Sequence, residues 1–538
     1  MGRGQRGAWL AVAVLILSAI LGGLYGPRVE ATAAGESAAD ISVRKFTRVY
    51  ALVEENYADP VDPDRAIYDG AIPGMLRTLD PHSSFFNARA FRLLREDQSG
   101  HYYGVGMQVA PRGDQTIVVA PFVGSPAFKA GLRPGDVIYR VDGVSTQGLS
   151  TSEVADLLKG PKGTVVRVEV LREGQEEPLK FTITRDEIPR LSVEYFFELK
   201  PGVGYVRLVG FNETTHEEIA NAVEQLGGDK LEGLILDLRE NPGGLLTEGV
   251  AVADMFLDKN QLVVSHKGRN QRPRNYYATR GSQGRDFPLV ILINRFTASA
   301  AEIVAGAIQD HDRGLIVGET SFGKGLVQTV VPLSDNTGLA LTTARYYTPS
   351  GRLIQRDYNS VSLYNYYYGT KNGNNNAEVF STDGGRTVYG GGGITPDVEM
   401  PSPELNAFQQ ELIRRGIFYP YDPGVGDFAK RYLARHGDVK RDFEVDANVL
   451  AEFRKFLDEK NVRYTEPDLQ DNLAWIQLKI KKETFTSVFG RDEGARIAVL
   501  ADPQVQRAVV LLPEAKALRE NARRTIANKA ESRQPQPR

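Results

Sequence analysis

The chain has 538 residues, and its 65 Lys and Arg against 68 Asp and Glu leave a net charge of −3 on a polymer that is 41% hydrophobic and 25% charged. That profile belongs to a soluble globular protein of several domains, at about 100 to 200 residues each. It excludes a disordered chain, a single small domain and a nucleic-acid binder held by a basic surplus. With no cysteine there is no disulfide, thiol nucleophile or thiolate metal site, and six histidines without an HExxH pattern give a zinc protease nothing to stand on. No metal or cofactor is expected.

Residues 1–35 open with Met1-Gly-Arg-Gly-Gln-Arg and continue into an apolar run over residues 8–25 that no charged residue interrupts. Basic residues ahead of such a run stay on the cytoplasmic side. The segment therefore reads as an export signal that sends the rest of the chain to the periplasm or another extracytoplasmic space. Ala31-Thr32-Ala33 offers a small-residue cleavage site, whereas the near-spanning length suits an anchor retained in the inner membrane; both readings stand.

Residues 36–95 carry helical apolar spacing from 41 to 94, interrupted by turns at Asp59-Pro60 and Asp80-Pro81. Over residues 96–187 the texture changes to short β-branched runs between Gly turns, at 107–109, 116–120, 137–141, 165–171 and 181–184, with short helices at 126–130 and 151–159. Residues 188–400 alternate strands with helical patterns, predicting an α/β layer with 231–238 and 288–294 as central buried strands. An insert at 357–393, with Tyr364-Asn-Tyr-Tyr-Tyr-Gly, Asn374-Asn-Asn and Gly390-Gly-Gly-Gly, reads more readily as a surface loop than as an active-site lid. Residues 401–538 are charged and helical in period, with breaks expected at Pro503 and Pro513 and a last dozen residues expected to lack structure.

Several constellations carry chemistry. Tyr103-Gly104-Val105-Gly106 runs into the strand at Met107, and amides of a Gly-rich turn converge on a carboxylate while a strand edge accepts an extended peptide. With Gly124-Ser-Pro-Ala-Phe-Lys-Ala-Gly-Leu-Arg-Pro-Gly-Asp136 and Val141-Asp-Gly143, this stretch resembles a PDZ domain, which implies binding of the free C-terminus of another chain. Further on, a buried strand ends in Asp237-Leu-Arg-Glu-Asn-Pro-Gly243-Gly244 before a helix expected at 245–257. Helix N-termini and glycine amides hold oxyanions, but two glycines alone explain no more than a tight turn.

Ser299, in Thr297-Ala-Ser-Ala-Ala-Glu302, stands at a second strand-to-helix turn, the geometry that exposes a nucleophilic hydroxyl above a sheet. Ser-x-x-Glu is equally a capping box that merely closes the first turn of a helix at 303–309. Gly323-Lys324-Gly325 tips the balance: Lys324 and Gln328 share a face at strand period, and a lysine made neutral by burial, with Leu326 and Val330 as walls, replaces the histidine of a serine triad. Gly318 to Lys324 also approaches the phosphate-loop pattern, but Gly325 stands where the magnesium-binding hydroxyl belongs and no helix clearly follows.

Taken together, Leu79-Asp-Pro-His-Ser-Ser, the PDZ-like stretch, Asp237-Leu-Arg-Glu-Asn-Pro-Gly-Gly, Thr297-Ala-Ser-Ala-Ala-Glu, Gly323-Lys-Gly and Gly393-Ile-Thr-Pro-Asp397 resemble the carboxyl-terminal processing peptidases, the tail-specific serine protease family. The likeness covers roughly residues 40 to 400. It implies an α/β multidomain fold in which a PDZ domain precedes an α/β serine-protease core, with a helical N-terminal region and a helical C-terminal extension. It also implies Ser299 as nucleophile, Lys324 as base 25 residues later, and Gln328 as the residue that orients the lysine. The oxyanion donors would be Ala300 and an amide of the Gly243-Gly244 turn, and the peptide site Tyr103, Gly104, Val105 and Gly106. Implied partners are protein tails with free C-termini, a second copy of the chain in a homodimer, and an adaptor protein, with no nucleic acid. Lys159-Gly160 departs from the Arg-Gly of many members. A PDZ scaffold without activity is the alternative.

Overall fold

The computed structural model describes residues 37–369, 378–418 and 428–532, and the chain forms two units, residues 1–75 and 76–538. The apolar run at 8–25 and its cleavage site lie outside the described residues, as does Asn374-Asn-Asn of the insert. Among the described residues no helix is long and apolar enough to cross a membrane.

In the first unit, helix α1 (Ala38–Asn56) begins with a capping box: Ser37 Oγ accepts the Asp40 amide, and the Asp40 carboxylate accepts the Ser37 amide, both at 3.1 Å. Its apolar residues recur at helical spacing, yet Ile41, Phe46, Val49 and Val53 are all exposed. A π-helical turn (Arg65–Ala71) runs into α2 (Ile72–Arg77).

The second unit starts with a turn built on Asp80, whose Oδ1 accepts the amides of His82 and Ser83 at 2.8 Å each. Strand β1 (Ser84–Phe86) and helix α3 (Ala88–Ser99) lead into a β-rich module. Its strands are β2 (His101–Gly104), β3 (Met107–Arg112), β4 (Gln115–Pro121), β5 (Val137–Val141), β6 (Val144–Ser145), β7 (Val165–Leu171), β8 (Leu179–Thr184) and β9 (Asp186–Pro189). One antiparallel sheet runs β3-β4-β5-β7-β8 with β6 on β5, and β2 pairs with β9. Along β7 every second residue, Val166, Val168 and Val170, is buried, as the period of a half-covered strand requires. Two short helices close the module. Helix α4 (Pro126–Ala130) opens on Ser125-Pro126 and ends at left-handed Gly131, and α5 (Thr151–Leu158) carries a capping box from Ser150 and Glu153.

The following elements alternate: β10 (Val193–Lys200), β11 (Val203–Leu208), α6 (Thr215–Gln225), β12 (Gly233–Asp237), α7 (Leu246–Asp254), β13 (Leu262–Gly268), β14 (Gln271–Tyr277), β15 (Leu289–Ile293), α8 (Ala300–Asp310), β16 (Leu315–Gly318), β17 (Leu326–Pro332) and β18 (Gly338–Tyr347). Past the insert, β21 (Val398–Glu399) completes a six-stranded sheet, β10-β11-β12-β15-β16-β21, parallel except at β10. Every residue of β12 and β15 is buried, so both faces of this sheet are covered. Leu234, Leu236 and Ile291 face α6, α7 and α8, while Ile235, Val290 and Leu292 face the opposite layer. The second sheet runs β1-β18-β13-β14, with β17 on β18.

The insert is not a bare surface loop. It contains helix α9 (Leu363–Tyr368), which buries Tyr366 completely, and a hairpin of β19 (Val379–Ser381) and β20 (Thr387–Tyr389). The C-terminal extension divides by its packing. Helices α10 (Ala407–Arg414), α11 (Phe428–His436), α12 (Ala447–Glu459), α13 (Glu466–Asp471) and α14 (Leu473–Phe489) build a small aromatic core around Phe453 and Phe456. Helices α15 (Arg491–Leu500) and α16 (Pro503–Ser532) return to the sheet and supply its opposite layer through Val499, Val505, Leu511 and Leu512. The expected break at Pro513 does not occur: the proline lies inside α16, which continues to Ser532 through half of the dozen residues expected to lack structure.

Candidate functional site

The sheet brings two turns face to face. After β12, Asn241 bridges them: its side-chain amide donates to Leu208 O at 2.8 Å and its backbone carbonyl accepts the Ala298 amide at 2.9 Å. After β15, Thr297 Oγ donates to Leu238 O and accepts the Asn294 amide. Gly243, at φ 93°, lies so close to the second turn that a Cβ on it would come within 2.7 Å of Ser299 Cβ. Gly244 is pressed as tightly on Phe211, where a methyl would overlap the carbonyl oxygen. These contacts, not merely chain reversal, are what require glycine at both positions.

Ser299 sits between β15 and α8 with φ 55° and ψ −116°, a strained conformation for a residue with a Cβ. Its amide donates to Glu302 Oε2 at 2.8 Å. Glu302, however, is more than a cap. Its Oε2 also accepts the Lys324 amide at 2.9 Å, and its Oε1 accepts the Gly323 amide at 2.7 Å and Ser321 Oγ at 2.5 Å. One carboxylate, fully buried, thereby joins the serine turn to the lysine turn. Burial pushes its pKa up against the pull of these four donors. Tyr346 ties the same turns a second time, its hydroxyl lying 3.1 Å from Ser299 O and 2.6 Å from Lys324 O.

Lys324 precedes β17 and lines, with Ser299, His82, Leu326, Gln328 and Val330, a cleft of about 650 Å³ that also reaches Gly243 and Gly244. A strand and not a helix follows it, so no helix N-terminus backs a phosphate loop here. Burial lowers the Lys324 pKa, opposed by the charges of Glu302 and Asp80. Its ammonium nitrogen donates to Gln328 Oε1 at 3.1 Å. Gln328 in turn donates through Nε2 to the backbone carbonyl of His82. Among the described residues no hydrogen bond joins the Ser299 and Lys324 side chains; resting sites commonly close that contact only around substrate. Of the two turn glycines, Gly243 has its amide engaged by Asn241 Oδ1 at 2.8 Å. The amides of Gly244 and Ala300 donate to nothing within the described residues.

Away from this cleft, the Tyr103–Gly106 turn joins β2 to β3. Its carbonyls are occupied, Tyr103 by the Gly160 amide, Val105 by that of Ala127 and Gly106 by that of Phe122. The Val105 side chain belongs to the core of the module and only Tyr103 of the four is exposed. Strand β3 is the open edge of its sheet and lies beside α5, and an open strand edge is where an extended peptide adds. Lys159, just past α5, pairs with Glu96 of α3 at 2.5 Å, and Asp156 pairs with Arg89 at 2.6 Å and Arg92 at 3.1 Å, so charged pairs fix this end of α5 to α3.

Sequence reasoning did not single out Glu302 beyond its capping role, nor Asn241, His82 or Tyr366 individually. The only signal for Glu302 was its place in Ser-x-x-Glu on a helix that proves buried on all sides.

Three family models match the chain: peptidase family S41 over residues 202–360, a PDZ domain over residues 117–172, and the N-terminal domain of the activating protease CtpB over residues 26–90. A carboxy-terminal-processing protease of Bartonella bacilliformis is 41% identical over 316 residues, covering 58% of this chain and 72% of that protein. A carboxyl-terminal-processing protease of Synechocystis sp. is 41% identical over 311 residues, covering 57% and 72%. Among solved structures, the photosystem II D1 C-terminal processing protease aligns at 34% identity over 67% of this chain and 87% of its own, with a TM-score of 0.36. The S41 match ends at residue 360, ahead of helix α9 and the C-terminal extension.

Proposed function

The chain belongs to the carboxy-terminal processing proteases, serine peptidases of family S41 with a PDZ domain, and from that premise we propose that it cuts protein tails by a Ser299–Lys324 mechanism in the cell envelope. The observation that carries this reading is the lysine: half-buried in the cleft with Ser299, its pKa lowered by desolvation, and held by Gln328 Oε1 at 3.1 Å. A neutral amine that gives one hydrogen to Gln328 keeps its lone pair for the Ser299 hydroxyl. Ser299 Oγ attacks the scissile carbonyl as Lys324 takes its proton, the oxyanion is held by the Ala300 and Gly244 amides, and Lys324 returns the proton to the leaving amine. Water then releases the acyl group by the same steps.

In this reading the free C-terminus of the substrate lies along β3 with its carboxylate at the Tyr103–Gly106 turn. The export-type N-terminus supports a location outside the cytoplasm, with the inner membrane as anchor if that segment is retained. The uncovered apolar residues of α1 support self-association as a homodimer, and the fixed end of α5 leaves an adaptor protein as a further partner to be sought.

Purified residues 36–538 and a protein with an apolar C-terminal tail, followed by intact mass, test the mechanism. Wild type is expected to shorten the tail, Ser299→Ala to lose at least about 10³-fold in rate, and Lys324→Ala about 10²- to 10⁴-fold. Tail binding by all three proteins with cleavage by none favours the scaffold alternative; cleavage by Ser299→Ala overturns the nucleophile.

The pH dependence has a fixed sign. Only neutral Lys324 accepts a proton, so the rate rises with pH through its depressed pKa and levels above it. Because the folded pKa lies below the unfolded one, folding stability from this group is present above the ordinary lysine value and lost as pH falls. Lys324→Met is therefore expected to be inactive yet to unfold at a higher temperature than wild type near neutral pH; a lower unfolding temperature contradicts a lysine whose charged form is disfavoured by desolvation.

A further inference from the structure

We propose that Tyr366, from the Tyr-rich insert, is a positioning residue for the catalytic base, acting through His82 and Gln328 on Lys324. The inference rests on the assignment of Lys324 as base made above and adds to it a segment outside the S41 match.

Helix α9 is capped by Ser362, whose Oγ accepts the Asn365 amide at 3.2 Å. Its tyrosines divide sharply: Tyr364 and Tyr368 are 72% and 61% exposed, whereas Tyr366 is 0% exposed. A tyrosine so buried needs partners for its hydroxyl. Tyr366 has two, Gln355 Nε2 at 3.2 Å and His82 Nε2 at 2.7 Å, and its ring meets those of Phe322 and His82 edge-on at 5.4 and 5.6 Å.

The direction of each bond follows from its neighbours. Gln355 Oε1 accepts the Gly325 amide at 2.8 Å, so Nε2 is the end that faces Tyr366 and donates to it. The tyrosine's own hydrogen is then free for His82 Nε2, an arrangement in which that nitrogen accepts and His82 is neutral. Independently, burial and the nearby Lys324 charge push the His82 pKa down to about 4, with Asp80 opposing. Asp80 holds the His82 amide and Tyr366 holds its ring, so the carbonyl between them is fixed. That carbonyl takes Gln328 Nε2, and this alone turns Oε1 towards Lys324. A Gln328 free to flip would present its NH₂ to the lysine and occupy the lone pair that must take the serine's proton.

The test is a double-mutant cycle in the full chain without residues 1–35, using kcat and KM for a tailed substrate. Tyr366→Phe keeps the ring and removes only the hydroxyl. It is expected to lower kcat about 10-fold with KM unchanged, and to cost nothing further in a Gln328→Ala background. His82→Phe removes the acceptor from the other side, is expected to lose a similar factor, and is not expected to add to Tyr366→Phe. Wild-type kcat in Tyr366→Phe, or the same loss with and without Gln328, overturns the proposal. If Tyr366→Phe does not fold, His82→Phe against Gln328→Ala decides by the same criterion. Cleavage that survives Lys324→Ala instead overturns the lysine assignment and is read separately.

Discussion

A chain ended at Leu500 is expected to yield no soluble protease. Helix α16 is most of one layer of the α/β core: Val505, Ala508, Leu511, Leu512 and Ala515 pack on Val203, Tyr205, Ile235, Val290, Leu292, Leu315 and Val317. The fit is close, since a Cβ at Gly233 would come within 2.7 Å of Leu512. Uncovering an aliphatic or aromatic side chain costs about 1.5 to 3 kcal/mol, so the seven left bare on the sheet cost about 10 to 20 kcal/mol together, as much as the roughly 5 to 15 kcal/mol that holds a domain folded. The truncation also removes Asp502 and Gln504, which grip Arg239 at 2.8 and 2.6 Å beside its bidentate partner Asp237. Buried Asp237 is pushed up by desolvation but held below the ordinary carboxylate value by Arg239 and Arg207. Expression, soluble fraction and far-ultraviolet circular dichroism provide the check. A folded, active chain ending at Leu500 would show that α16 is dispensable and that its packing does not hold the sheet.

Replacing Glu302 with alanine is expected to remove almost all activity and to destabilise the fold. Four donors on Ser299, Ser321, Gly323 and Lys324 lose the buried carboxylate that accepts them, at about 1 to 3 kcal/mol for each buried group left unmade. The serine and lysine turns then keep the Tyr346 hydroxyl and the Phe322 amide on Thr297 O between them but lose the carboxylate that fixes Ser299 against Lys324, and a displacement of about 1 Å between reacting groups costs roughly 10²-fold. Glu302→Gln gives an intermediate result with a structural reason. The amide oxygen can serve Ser299 and Lys324 if its NH₂ faces Ser321, whose hydroxyl can turn and accept, but the Gly323 amide cannot. The expected order of both kcat and unfolding temperature is wild type, then Gln, then Ala. An alanine variant with wild-type kcat contradicts the role given to the carboxylate.

How far sequence carried the structure can be seen residue by residue. Strands 137–141 and 165–171 are formed as expected, and in the second alternating valines between Gly turns leave one period and one buried face. The elbow at Ser299 was legible for a similar reason, an apolar strand followed at once by a small-residue helix. Links between distant segments were not. Gln328 and His82 meet because β1 and β17 both pair with β18, and Tyr366 reaches His82 from helix α9 of the insert; no local period records either contact. Pro513 was read as a break because it removes a hydrogen bond and crowds the preceding turn. Burial of Leu511, Leu512 and Ala515 on either side outweighs that local cost. The turn glycines were found by composition, but which amide remains open was decided by the side chain of Asn241, which nothing in the spacing marked.

The order in which the chain is made gives the last helix another significance. About 210 residues separate the end of β15 from the start of α16, so the strands that carry both active-site turns are synthesised long before the layer that covers them. During that interval the sheet has one bare face, and Arg239 lacks the grip of Asp502 and Gln504 on the turn that leads to Gly243 and Gly244. A nascent chain that has not yet delivered α16 therefore has no finished cleft, and the turns that carry Gly243, Gly244 and Ser299 are settled only once that helix has arrived.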